Sequence, residues 1–166
     1  MHTEHRSGPI VIADAREAGV EDLLDLIDAL ADYEHLPRPA PDARARLLAD
    51  ATASPPRFSA LLARVSGRAV GYAIFFETYS TFLALPTLYL EDVFVVEPAR
   101  GQGVGRALMR AVAREAIRRG CGRLEWQVLD WNTPAQRFYE ASGARRMSEW
   151  LPYRVVAEDI PRLAAD

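Results

Sequence analysis

The chain contains no lysine; its twenty basic residues are all arginine. A P-loop, which needs a lysine after its last glycine, is therefore excluded. The protein also offers no lysine side chain for its own acylation. A single cysteine, Cys121, excludes an internal disulfide and a four-cysteine zinc site. Histidine is scarce, with three in all and two of them, His2 and His5, near the start, so no metal cluster is expected. No apolar run reaches membrane length, and no membrane association is expected. The opening MHTEHRSGP lacks the apolar core of a signal peptide, which points to the cytoplasm. A net charge of −3 argues against nucleic acid as a partner and suits a small cationic substrate.

What is present fits one globular domain of 166 residues, 49% apolar and 26% charged. Residues 1–8 read as a flexible tail and 9–166 as a single domain. Ile10 and Ile12 open a strand over about 9–15. Val20, Leu23, Leu24, Ile27, Leu30 and Ala31 form an apolar stripe at helical spacing over 20–36. The prolines of 37–41 end that helix. A second helix follows over 41–52, with Asp42 as its candidate cap. Residues 58–65 and 69–79 read as a hairpin around Ser66-Gly67-Arg68, and 87–96 as a central strand. A helix covers 103–119, with Val104, Ala107, Leu108, Ala111, Val112 and Ala116 inward and Arg106, Arg110, Arg114 and Arg118 outward. Residues 124–129 are a strand, Asn132 to Gly143 a short helix, 145–156 a last strand, and 158–164 a final helical turn. This order, β-α-α-β-β-β-α-β-α-β, predicts an α+β domain with a mixed sheet.

The central strand and the helix after it hold the chemistry. Between them runs Arg100-Gly101-Gln102-Gly103-Val104-Gly105-Arg106. Glycines let backbone N–H groups converge, and a helix start adds its free N–H groups and positive dipole end. Such a turn suits a pyrophosphate flanked by arginines, although it would also serve as a tight strand-to-helix connection with no ligand. A dinucleotide fingerprint needs G-x-G-x-x-G, and here the spacing is G-x-G-x-G. One strand-length upstream stands the acidic pair Glu91-Asp92. Strict alternation sends the two side chains to opposite faces, unless a bulge intervenes. A buried pair of this kind serves either as acid/base groups or as structural partners of backbone and arginine.

The spacing Arg100-x-x-Gly103-x-Gly105 resembles the coenzyme A loop of the GNAT superfamily of N-acetyltransferases. A second motif, Asn132-x-x-Ala135-x-x-Phe138-Tyr139 followed by Gly143-Ala144, resembles the second half of that fold. YLEDVFVV, WNTPAQRFYEASGA, ALADYEH and FFETYSTF narrow the resemblance to the spermidine/spermine (diamine) acetyltransferase branch, which also includes enzymes acting on thialysine. It covers roughly residues 9–163.

The resemblance implies a GNAT fold, a mixed and mostly antiparallel sheet with helices on both faces. It implies acetyl transfer from acetyl-CoA to a primary amine by direct attack in a ternary complex. A primary ammonium with a pKa near 10.4 is only about one part in a few thousand neutral at pH 7, so the site must take a proton. The resemblance gives that task to Glu91, through a water, and the leaving thiolate to Tyr139. It places acetyl-CoA on Phe94 and Val95, on Arg100 through Arg106 (Arg100, Gly101, Gln102, Gly103, Val104, Gly105 and Arg106), and on Asn132 and Tyr139. A backbone N–H near Phe94 would meet the developing oxyanion. Asn132 could equally cap its helix.

The regions that face the substrate in this branch hold Asp28, Asp32, Tyr33 and Glu34 at the end of the first helix and Glu77 and Tyr79 at the end of the hairpin strand, beside Glu91 and Asp92. Carboxylates among aromatic rings suit a polyamine or diamine, while the helix acids could also be an ordinary solvated face. A homodimer is the expected assembly, with the segment around Trp150 available for an interface. Three alternatives stand beside this reading: an acetyltransferase for an amino acid or peptide amine, a non-catalytic acyl-CoA sensor, and a dimerising scaffold.

Overall fold

The computed structural model describes residues 8–165, so the tail expected over 1–8 lies almost wholly outside the described residues. The chain divides between Gln127 and Val128 into two compact units. In the first, β1 (Ile10–Asp14) leads into a single helical turn, α1 (Ala15–Ala18), and then α2 (Val20–Tyr33) and α3 (Pro41–Thr52). The Asp14 carboxylate caps α1 by accepting from Arg16 N. Proline at N1 starts α3, where the locked φ of Pro41 suits a first turn. Asp42 is not the cap of this helix. Ala40 holds that position, and Asp42 instead pairs with Arg46 one turn on, at 2.8 Å.

Strands β2 (Ser59–Val65), β3 (Arg68–Ser80) and β4 (Leu85–Val95) form an antiparallel meander, and β5 (Arg123–Trp126) adds in parallel beside β4. The sheet order is β1-β2-β3-β4-β5. The long helix α4 (Val104–Arg118) carries the chain from β4 to β5, as a parallel pair requires. Its Val104, Leu108, Val112 and Ala116 are buried against Ala73, Phe75, Leu88 and Leu90 on one face of the sheet. Each large side chain among them contributes about 1.5–3 kcal/mol of burial. Arg106, Arg110, Arg114 and Arg118 are exposed on the far side of the helix, as its periodicity predicts. The other sheet face packs Leu62, Tyr72, Ile74 and Phe94 against Leu23 and Leu26 of α2. Helices therefore cover both faces, and the sheet is mixed and mostly antiparallel, as expected.

The second unit holds α5 (Thr133–Ala141) and α6 (Ile160–Ala164). The strand expected over 145–156 is absent, and that stretch has no regular structure. A strand needs a ladder partner, and the described residues of this unit contain no other strand; Pro152 further removes a donor. The strand expected over 124–129 ends early, at Trp126.

Candidate active site

A β-bulge in β4 creates the site. Ile74 of β3 pairs with Asp92, yet the next residue, Phe75, pairs with Leu90, so Glu91 is the extra, unpaired residue. Parity changes there. Before the bulge Leu88 and Leu90 face α4; after it Val93 and Val95 do, while Phe94 faces α2. Glu91 and Asp92 consequently both turn to the α2–α3 side, and the opposite faces expected from strict alternation do not occur. Both line a cavity of about 440 Å³, with Ile27 of α2, Leu47 and Asp50 of α3, Arg57 in the following loop, and Phe76 of β3.

The two carboxylates differ in depth. Glu91 is exposed, whereas Asp92 is partly buried and accepts a hydrogen bond from the phenol of Tyr72, 3.3 Å from its Oδ2. Burial pushes the Asp92 carboxyl up to about 6; the charges of Glu91 and Glu34 add to this, and the Tyr72 bond opposes it. Tyr72 is fully buried, and its phenol is held protonated by that burial and by the Asp92 charge. Burial also raises Glu34, at the end of α2.

The cofactor loop has the backbone that its glycines foretold. Gly101 and Gly103 sit at φ +75° and +87°, and Gly103 starts α4 without any side-chain cap. The first N–H groups of α4 are thus left to an outside acceptor. A Cβ on Gly101 would meet nothing within 4 Å, so the loop lies open for a pyrophosphate. Val104 is buried and anchors the helix, while Arg106 is exposed. Gln102 braces the loop by donating from Nε2 to Pro98 O at 2.9 Å. Arg100 folds back: its Nε donates to Val95 O at 2.9 Å, and its guanidinium lies 4.5 Å from the Tyr33 ring centre and 5.7 Å from that of Phe94. The ladder of β4 with β5 stops at Leu90, and β4 runs on to Val95 with a ladder to β3 alone. The Phe94–Val95 backbone therefore has an edge where an extended pantetheine arm can lie. These residues fit coenzyme A.

The other expected substrate residues are engaged differently. Asp28 pairs with Arg44 at 2.6 Å, and its Oδ1 is buried with no hydrogen-bond partner among the described residues. Asp32 pairs with Arg38 at 2.5 Å, a hydrogen bond that holds its carboxyl below the usual range. Glu77 pairs with Arg119 at 3.1 Å, and Tyr79 is exposed. The structure thus brings Glu91 and Asp92 together at the cavity and gives each of the three other acids an arginine. Tyr72, Asp50 and Arg57 were missed in the sequence. Tyr72 had one signal, a phenol inside the apolar run of residues 69–76, which needs a partner when buried.

In the second unit, Asn132 caps α5, its Oδ1 accepting from Ala135 N at 3.3 Å. Tyr139 lies on α5 with its ring 5.5 Å from that of Phe138.

Residues 22–144 match the model of the Acetyltransferase (GNAT) family. A thialysine N-epsilon-acetyltransferase of Mus musculus is 33% identical over 164 residues, covering 92% of this chain and 96% of its own length. The L-ornithine N5-acetyltransferase NATA1 of Arabidopsis thaliana is 44% identical over 88 residues, 53% of this chain and 39% of that protein. A spermidine/spermine N(1)-acetyltransferase-like protein 1 of Homo sapiens is 30% identical over 89% of this chain, which spans 23% of the human protein. Among solved structures, the aminoglycoside N-acetyltransferase AAC(6')-Iy in complex with CoA has the same fold, with a TM-score of 0.73 at 22% identity over 93% of this chain and 99% of that one.

Proposed function

Because the chain belongs to the GNAT family of acetyltransferases, whose acyl donor is acetyl-CoA, we propose that it acetylates the primary amine of a small cationic substrate by direct attack in a ternary complex. The observation that carries this reading is the bulge that turns Glu91 and Asp92 into one cavity on the same strand whose far end, Phe94–Val95, leads into the glycine loop. Acetyl-CoA supplies the activated acyl group. The chain's own residues do the rest. The backbone of Gly101 through Arg106 receives the pyrophosphate, with the open start of α4 adding its N–H groups. Phe94 and Val95 hold the pantetheine arm along the backbone edge that β5 leaves uncovered, once Arg100 gives up Val95 O, and a backbone N–H near Phe94 faces the thioester oxygen. The carboxylate pair attracts the ammonium and takes its proton, which makes the nitrogen nucleophilic. Asn132 orients the arm while capping its helix, and the Tyr139 phenol hydrogen-bonds the departing sulfur.

A polyamine or diamine is the first substrate class, because the cavity carries Glu91 and Asp92, with Asp50 beside them, 3.8 Å from Arg57. The arginines on Asp28, Asp32 and Glu77 must yield before those acids meet a second, distant cation. One observation favours a second reading. Arg57 lines the same cavity, and a basic amino acid would offer it an α-carboxylate while presenting its side-chain amine to Glu91 and Asp92. The names of the mouse and Arabidopsis relatives agree with that class. A panel of diamines, ornithine- and lysine-like amino acids and peptides, scored by thiol release, tests the proposal. Release with none of them while acetyl-CoA binds would favour a non-catalytic acyl-CoA sensor. We further infer a cytoplasmic homodimer; Trp150, Leu151 and Tyr153 are exposed and available to an interface. Sedimentation at micromolar concentration tests the dimer, and a purely monomeric species would remove it.

A further inference from the structure

The two carboxylates at the bulge are chemically unlike. Glu91 is the unpaired bulge residue and is exposed at the cavity. Asp92 is one position deeper, paired in register with the buried Ile74, and tethered through Oδ2 to a fully buried phenol. At a solvated carboxylate, water competes for the cation that it attracts. A desolvated carboxylate beside a second negative charge holds a proton more tightly and sits where water is scarce. An acid held through one oxygen can accept a proton on the other. We propose that Asp92, fixed by Tyr72, takes the proton of the substrate ammonium, and that Glu91 holds that ammonium at the cavity mouth. This assignment rests on the acetyl-transfer reading above and departs from the expectation that Glu91 is the base.

The step balances simply. One N–H bond of the ammonium breaks and its proton passes to Asp92, leaving the lone pair on nitrogen. That pair forms the C–N bond as the thioester C–S bond breaks. The second nitrogen proton leaves with the thiolate as thiol, and Asp92 returns its proton to solvent. Groups facing Asp92 come from every neighbouring element: the Glu91 carboxylate on its own strand, the neutral Tyr72 phenol on β3, and Glu34 at the end of α2. Asp50 of α3 and Arg57 in the following loop line the same cavity. The raised Asp92 value is consistent with these neighbours, because burial and the Glu91 and Glu34 charges all favour the protonated form.

The pH dependence of kcat/KM, which reports the free enzyme's groups, separates the two carboxylates. The wild-type acidic limb is expected near 6, the value of Asp92. Asp92→Asn should remove that limb and lower kcat by about 10²–10⁴-fold, a typical span for a lost general base, with acetyl-CoA affinity unchanged. Glu91→Gln should keep the limb but move it to lower pH, because a like charge is gone, and should act mainly by raising KM. Tyr72→Phe should move the limb upward, because a hydrogen bond to the charged form is lost. If Glu91→Gln abolishes the limb and Asp92→Asn merely shifts it, the roles are reversed and the proposal is wrong. A limb that none of the three variants moves also overturns it. Carboxyl carbon NMR titration of the folded protein supplies a readout without turnover. An Asp92 resonance titrating near the ordinary carboxylate range, or one indifferent to Glu91→Gln, contradicts the assignment even if the protein acetylates nothing. Absence of all turnover with Asp92 titrating near 6 and responding to Glu91→Gln would instead count against the acetyl-transfer reading.

Discussion

At the scale of single residues, Asp92 links stability to pH. Its carboxyl is raised to about 6 in the folded chain, from an ordinary 3.8. Between these values the folded state binds more protons than the unfolded state, so stability falls as pH rises. The contribution lost is about 3 kcal/mol by the size of the shift, spread over roughly pH 4 to 7. Asp92→Asn keeps an acceptor for the Tyr72 phenol and removes the titration. Denaturant unfolding at pH 4 and pH 7 should show the variant gaining on the wild type at the higher pH, and a constant difference between the two proteins would refute the buried titration. Tyr139 supports a second residue-level prediction. Tyr139→Phe keeps the ring and removes the hydroxyl, so turnover should fall by about 10–10⁴-fold with cofactor affinity little changed. Unchanged turnover, with chemistry shown to be rate-limiting, would leave Tyr139 a packing residue.

At the scale of elements, the turn between β4 and α4 depends on its left-handed glycines. Gly103 sits at φ +87°, so Gly103→Val costs about 1–2 kcal/mol of backbone strain and also fills the approach to the α4 N–H groups. The variant should stay folded, since α4 is anchored by four buried side chains, and should lose acetyl-CoA binding by calorimetry. Normal affinity in a folded Gly103→Val protein would refute the loop assignment. This turn and α4 were legible in the sequence because their signals are local: glycine spacing, and an apolar stripe with arginines every fourth residue. The α3 boundaries were equally legible, set by Pro41 and the Ser54-Pro55-Pro56 break. The bulge was not. A one-residue register shift depends on how β3 and β4 pair, and no residue in LYLEDVFVV marks Glu91 as the extra one. The arginine partners of Asp28, Asp32 and Glu77 were also hidden, because they come from 6 to 42 positions away. The last strand was overcalled because 145–156 has a strand-like composition but no ladder partner within its own unit.

At the scale of the whole molecule, charge bears on the substrate class proposed above. The net charge is −3, and Glu91 and Asp92 concentrate negative charge at one cavity. A diamine should be acetylated faster than a monoamine of equal length at low salt, and added salt should narrow the gap as surface charges are screened. Equal rates at low salt would count against a polyamine pocket. A basic amino acid outpacing the diamine, with the advantage lost in Arg57→Ala, would favour the amino-acid reading. Acetyl transfer is tested by incubating the purified protein with acetyl-CoA and a panel of primary amines while free thiol and acetylated amine are measured together. Thiol release should require an amine, with one acetylated amine per thiol and loss of both in Asp92→Asn. Saturable acetyl-CoA binding with no amine-dependent thiol release, across diamines, amino acids and peptides alike, would contradict acetyl transfer.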